Sequence, residues 1–170
     1  MKKSKLDRRG DRKVYNGKYH VKNPQRYKGD PTNVVYRSNW EKQCCIFLDD
    51  DPRVEWWNSE EFVVPYWSDL DKKRHRYFID FAVKWKSGKT TLIEVKPKRQ
   101  TAPPKRKNLQ ETYTFVRNMN KWEAADQVAK DNGWEFVIWT EEELKKYGIL
   151  KKQPGRLNPL PRYKKKKKLT

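Results

Sequence analysis

Two apolar runs on either side of Ser87-Gly88 constrain this chain more than any other feature. The first, Arg76 to Trp85, alternates: Tyr77, Ile79, Phe81, Val83 and Trp85 fall on one face, and Phe78, Asp80, Ala82 and Lys84 on the other. The second, Thr90 to Lys96, stops at Pro97. A period of two, β-branched and aromatic content, and a glycine-containing turn define an antiparallel hairpin, so the fold must contain a sheet built on this pair. Each strand carries charge that its neighbours do not explain. Asp80 is the lone acid in Phe78-Ile79-Asp80-Phe81-Ala82-Val83. Glu94 and Lys96 rise from one face of their strand while Ile93 and Val95 take the other. Such groups on a core strand are costly unless paired or used. Two registers are open. A three-residue loop, Lys86-Ser87-Gly88 with Gly88 left-handed, sets Trp85 opposite Lys89 and Asp80 opposite Glu94, with Cβ atoms about 4.5–5.5 Å apart. A two-residue loop puts the two acids on opposite faces. The first register makes a two-carboxylate site able to hold a hard cation beside Lys96; the alternative for Glu94 and Lys96 is an ion pair on a solvated face.

The rest of the chain supplies helices around this sheet. Asn23-Pro24 and Gly29-Asp30-Pro31 mark turns in an extended lead-in. Ser38 caps a helix running to about Leu48, stopped by Asp49-Asp50-Asp51-Pro52. Val54–Trp57 and Phe62–Trp67 read as strands. Residues 98–107 form a loop with two prolines and five bases. Two helices follow, Leu109–Arg117 and Lys121–Asp131, the second capped by Asn120 and ended by Gly133. Trp134–Trp139 is a buried strand, and Thr140 with Glu143 makes a capping box for a last helix ending at Gly148. The order implies a mixed α/β fold around one central sheet, as a single domain over 15–149. The tryptophans at 56, 57, 67, 85, 134 and 139 read as core rather than as a base-stacking platform.

Charge says what such a domain meets. Lys and Arg number 41 against 22 Asp and Glu, a formal net charge of +19 in 170 residues. Residues 1–28 hold eleven bases and two acids, net +9; residues 145–170 hold eleven bases and no acid, net +11. The middle, 29–144, has 19 bases and 20 acids, net −1. The excess therefore sits at the ends, read as basic flexible arms at 1–14 and 150–170. A polyanion is the expected partner, nucleic acid before a membrane surface. No run is apolar enough to cross a bilayer, and no signal peptide follows the basic start. Cys44 and Cys45 are sequence neighbours that cannot easily bridge each other, which implies reduced thiols in a cytoplasmic setting. His20 and His75 are isolated and form no zinc-spaced cluster.

Tyr77-Phe78-Ile79-Asp80-Phe81 and Ile93-Glu94-Val95-Lys96-Pro97 resemble the two halves of the PD-(D/E)xK nuclease signature, with Ile79 where the broad pattern has proline. Tyr36-Arg37-Ser38-Asn39-Trp40-Glu41 resembles the helix-borne glutamate of its TnsA-like branch. The segments Lys121–Ala125, Phe136–Trp139 and Thr140–Leu144 resemble that branch's ending. Gly17-Lys18-Tyr19, Tyr27-Lys28-Gly29-Asp30-Pro31, Lys96-Pro97-Lys98 and Thr101-Ala102-Pro103-Pro104 are similar, more narrowly, to the head completion nucleases of large tailed phages. The likeness spans about residues 15 to 148.

The resemblance implies a restriction-endonuclease-like core, a central mixed sheet flanked by helices. It implies a metal-dependent endonuclease acting in head completion and head–tail joining by trimming packaged DNA; because no sequence-reading helix stands out, low sequence specificity is expected. Asp80 and Glu94, with the Val95 carbonyl, would bind Mg²⁺, or Mn²⁺ in its place. Lys96 would orient or deprotonate the attacking water, and Glu41 would complete the metal's inner or outer shell. Read from its residues alone, Glu41 is a capping-box partner of Ser38. Arg37 reads either as a phosphate contact or as the partner of a local acid such as Asp30. Lys98, Arg99, Lys105, Arg106 and Lys107 read either as a grip on DNA backbone or as a solvated basic loop. DNA and phage portal or neck proteins are the implied partners, and the host cytoplasm during assembly, then the virion, the implied location. The rival readings are a non-catalytic basic neck or DNA-coating protein, and a sequence-specific or transposon-type endonuclease subunit.

Overall fold

The structure is a computed structural model that describes residues 16–150; the arm at 1–14, and all of the C-terminal arm except Leu150, lie outside the described residues. In chain order the elements are β1 (Gly17–Tyr19), β2 (Val34–Tyr36), α1 (Asn39–Asp50), β3 (Val54–Ser59), β4 (Val63–Ser68), β5 (Lys73–Phe78), β6 (Phe81–Trp85), β7 (Thr90–Val95), α2 (Leu109–Asp131), β8 (Glu135–Trp139) and α3 (Glu141–Lys146). The central sheet has the order β3-β6-β7-β8. Its first three strands are antiparallel neighbours, and β8 lies parallel to β7. A parallel neighbour needs a crossover, and α2 is that crossover. The sheet is mixed and flanked by helices, as the resemblance implied.

Hairpin β6–β7 has the three-residue loop. Trp85 N–H donates to Lys89 O at 2.8 Å and Gly88 N–H to Trp85 O at 2.9 Å. Gly88 sits at φ +94°, where a side chain would be strained. Phe81 then faces Ile93 and Ala82 faces Leu92, and the same count continued puts Asp80 across from Glu94.

The run 76–85 is not one strand. β5 pairs only with β4, in a separate two-stranded ribbon, and β6 joins the central sheet. At the break, Glu60 N–H reaches the carbonyls of Ile79 and Asp80 at 3.2 and 3.3 Å. The interruption resets the alternation. Tyr77 and Ile79 pack with Ala82, Leu92, Trp122, Ala125 and Ala129 on the α2 side. Phe81 and Val83 pack with Cys44, Cys45, Leu48, Trp57, Ile93 and Leu144 on the α1 and α3 side. The result is three layers with two apolar seams.

Other expectations shift too. The stretch read as two helices is one 23-residue helix, α2, capped by Asn108, whose side chain accepts from Glu111 N–H. Asn120 caps nothing: its amide exchanges two hydrogen bonds with Asp69, at 2.8 and 2.9 Å. Asn118, at the expected break, is buried on the same face of α2 as Trp122, Ala125 and Ala129, and packing of that continuous face outweighs the weak helix propensity of Asn118 and Asn120. The lead-in is no loose extension. It forms the β1–β2 ribbon and buries Tyr19, Tyr27 and Val34. Of the tryptophans read as core, Trp57 and Trp139 are buried and Trp56, Trp85 and Trp134 pack partly against it. Trp67 is 53% exposed, because it points off the outer face of the β4–β5 ribbon.

Candidate active site

The site forms where β6 and β7 part from the ribbon. Glu94 leaves β7 on the side of Leu92, towards α2, and its carboxylate is buried. Tyr77, brought across by the break at Ile79-Asp80, donates its hydroxyl to Glu94 Oε2 at 2.5 Å. Lys96 holds Glu94 Oε1 at 3.0 Å through its ammonium, while its N–H donates to Trp139 O at 3.1 Å, so β8 steadies the lysine's backbone. Asp80 accepts the Val95 N–H on Oδ2 at 2.8 Å. Its Oδ1 has no hydrogen-bond partner among the described residues. Asp80, Glu94 and Lys96 thus share one end of β7.

The electrostatics follow from burial. Asp80 is held well above the usual carboxylate range, first by desolvation and then by the Glu94 charge; Lys96 and the Val95 N–H only partly offset this. Burial works against the charge on Lys96, but Glu94 and Asp80 outweigh it, and the ammonium is held above its ordinary value. Ionisation of Asp80 beside Glu94 is therefore opposed in this poorly solvated corner, and a further cation would relieve it.

Glu41 lies in the first turn of α1. Its carboxylate accepts from Ser38 Oγ at 2.9 Å and from Arg37 N–H at 2.7 Å, and its own N–H donates to Ser38 Oγ. This is capping-box chemistry, with the return bond made to Arg37 rather than to the cap residue. The charge of Glu41 still reaches the site, helping to raise both Asp80 and Lys96. Arg37 does not pair with Asp30. Its guanidinium grips Glu60 at 2.9 and 3.1 Å, beside the backbone of Asp80. Lys98 is tied to the start of α3, its N–H on Glu141 and its ammonium 2.7 Å from Glu142. Arg99, Lys105, Arg106 and Lys107 stand exposed along the loop into α2.

Two residues at the site escaped the sequence reading. Tyr77 was placed on the face of Phe81, and only the strand break turns it to Glu94. Lys121, on α2, sits with its ammonium 5.3 Å from the Tyr77 ring centre. Desolvation, then the charges of Lys96 and Arg117, push Lys121 below its usual value, while Glu94 and Asp80 pull against them. A signal existed for Lys121: it adjoins the Asn118, Trp122, Ala125, Ala129 stripe, but only in a continuous helix.

Among the described residues no three Asp, Glu, His or Cys side chains converge to enclose an ion. The two carboxylates of Asp80 and Glu94 remain at this corner. That donor set, all hard oxygen, fits a small divalent ion that keeps several of its waters. The free Oδ1 of Asp80 and the opposed ionisation of that carboxyl favour the same occupant.

The family model described as the TnsA-like endonuclease N terminal matches residues 51–141. The matched span contains Asp80, Glu94 and Lys96 and leaves out α1 with Glu41. The chain is also similar to the head completion nuclease of Enterobacteria phage T4, 40% identical over 146 residues that cover 80% of this chain and 97% of that protein.

Proposed function

The chain belongs to the TnsA-like endonuclease family, and from that premise we propose that it is the nuclease of phage head completion, hydrolysing DNA phosphodiesters at the Asp80, Glu94 and Lys96 corner. The observation that carries this reading is the acid pair at one end of β7, Glu94 buried and Asp80 half-buried, with a charged lysine bonded to Glu94. Asp80, Glu94 and the Val95 carbonyl are the groups that would hold a divalent ion, Mg²⁺ or Mn²⁺. Such an ion supplies Lewis acidity at the phosphate and lowers the pKa of water bound to it.

The protein's own groups do the rest. Tyr77 and Lys96 fix the two oxygens of Glu94, so its carboxylate cannot rotate away. Lys96, kept protonated by its acid neighbours, is a donor in the free protein rather than a base. It orients the attacking water and offsets charge on the phosphate as the P–O bond breaks. Glu41 braces the chain before α1 and adds its charge from the outer shell. Among the described residues no element stands out as a base reader, and binding through phosphates gives low sequence specificity. The chain meets its DNA during head assembly in the host cytoplasm, where a portal or neck protein brings it to the packaged end.

Plasmid nicking tests this. Wild type should nick supercoiled DNA with Mg²⁺ and not in EDTA. Asp80→Ala, matched to wild type by circular dichroism, should lose activity by a factor on the order of 10³ or more, as expected when several kcal/mol of transition-state charge stabilisation is removed. Full nicking by Asp80→Ala would overturn the assignment and leave a basic, non-catalytic neck protein as the better account.

A further inference from the structure

The β4–β5 ribbon carries chemistry that neither the core nor the catalytic corner uses. Its inner face holds Val64, Tyr66 and Tyr77, which pack beneath α2. Its outer face carries Val63 opposite Phe78, Pro65 opposite Arg76 and Trp67 opposite Arg74. Trp67 is 53% exposed and Phe78 46%. Arg76 lies over the Phe78 ring at 5.1 Å. The two acids of the ribbon's turn are already engaged, Asp69 with Asn120 and Lys72 and Asp71 with His75. Lys73, Arg74 and Arg76 have no carboxylate partner among the described residues.

We propose that this outer face is a contact surface for an unpaired nucleic-acid strand, with Trp67 stacked on a base and Arg74 and Arg76 on the flanking phosphates. Exposed aromatic rings between unpaired guanidinium groups match a partner that alternates flat rings with anions. A duplex shows its grooves polar edges and keeps its ring faces stacked, so it offers Trp67 nothing to lie against. Phe78 holds the Arg76 guanidinium in place by ring contact and leaves its N–H groups free to donate. Arg74 and Arg76 are about 6–7 Å apart along their strand, a spacing that neighbouring phosphates can meet. Pro65, which has no N–H, and the bases on β5 discourage pairing with a strand from another protein. Phe78 is two residues from Asp80, so a strand held on the ribbon is registered to the catalytic acids. Resting on the nuclease reading above, this assigns the substrate class as DNA with an unpaired strand or frayed end, in preference to intact duplex.

The test is binding of the full chain to a labelled single strand and to a blunt duplex of equal length, by fluorescence anisotropy in EDTA. Trp67→Ala should weaken single-strand binding about tenfold, within the range of one lost base stack, and leave duplex binding within about twofold. Arg74→Gln with Arg76→Gln should weaken single-strand binding and lower its salt slope by about 1.4, the share of two phosphates. Equal loss on both substrates would reject the assignment to an unpaired strand. Single-strand binding unchanged in both variants would remove the face from nucleic acid altogether and leave a protein partner as its occupant. Because the assay contains no metal, a failure of the catalytic reading shows in plasmid nicking and not here.

Discussion

Asp80 is the residue whose environment is least suited to its charge. It is poorly solvated, it faces Glu94, and only Lys96 and one N–H favour its ionised form. Its folded pKa therefore lies above the unfolded value of about 3.9. Between the two, the folded protein holds a proton that the unfolded chain has released. The stability contributed by this group is present below the unfolded pKa and lost as pH rises through the folded one. Asp80→Asn should accordingly melt higher than wild type in EDTA at neutral pH, by a few degrees, or about 1 kcal/mol for a domain of this size. The gap should close as pH falls towards the unfolded value, and Mg²⁺ should raise the melting point of wild type but not of the variant. A variant that melts lower than wild type at neutral pH without metal would show that Asp80 is stabilised rather than strained. The shared face of Glu94 and Lys96 was legible from strand period, but Asp80 faced Glu94 in only one of the two registers left open, and the three-residue loop at Gly88 selects it. Tyr77 and Lys121 were not legible, since each reaches the corner through a change of direction, at Ile79-Asp80 and across α2, that no local pattern announces.

At the scale of elements, caps and turns were legible where tertiary packing does not override the local signal, as it does at Asn120. Ser38, Gly88 and the Thr140–Glu143 box act where the pattern put them. What a local pattern could not reveal is tertiary use of the same residue types. The acidic run 49–51 was read as a helix stop, yet Asp49 lies inside α1 and is fully buried. It accepts from the Tyr19 hydroxyl at 2.9 Å, from Lys22 N–H at 2.7 Å and from Asn23 N–H at 3.2 Å. Arg26 adds a donor to the Asp51 carbonyl at the same helix end, where cations are favoured. These bonds fasten the lead-in, and with it the segment that enters Arg37, to α1. Asp49→Ala should cost about 2–4 kcal/mol, because it leaves the buried Tyr19 hydroxyl and the part-buried donors of Lys22 and Asn23 without an acceptor. Asp49→Asn, which keeps an acceptor, should cost less. Urea unfolding measures the loss, and hydrogen exchange should show residues 17–36 opening before α1. A loss under about 1 kcal/mol, with exchange unchanged across 17–36, would mean that apolar packing of Tyr19, Tyr27 and Val34 alone holds the lead-in.

For the whole molecule the question is where attraction to DNA comes from. The middle of the chain carries a formal charge of −1 while each end carries a large positive excess, and the proposed catalytic corner holds two acids. Local features such as Arg74 and Arg76 can orient a strand at short range. They cannot supply the long-range field, which sums over all charges within a Debye length of about 8–10 Å. That role falls to the ends. Residues 1–14 hold seven bases and two acids, and 153–170 seven bases and no acid, so removing both segments lowers the formal charge from +19 to +7. Nonspecific affinity for duplex DNA falls with salt at a slope of roughly 0.9 per phosphate neutralised. The truncated protein should therefore show a slope smaller by several units and bind DNA far more weakly at low salt. Its nicking rate at saturating DNA should stay within a few-fold of the full chain, roughly 1 kcal/mol or less, because Glu41, Asp80, Glu94 and Lys96 all remain. Binding titrations across a salt series decide the matter. An unchanged slope would take the ends off the DNA and assign their charge to an acidic surface on another protein of the assembling particle, where truncation would impair assembly and leave binding intact.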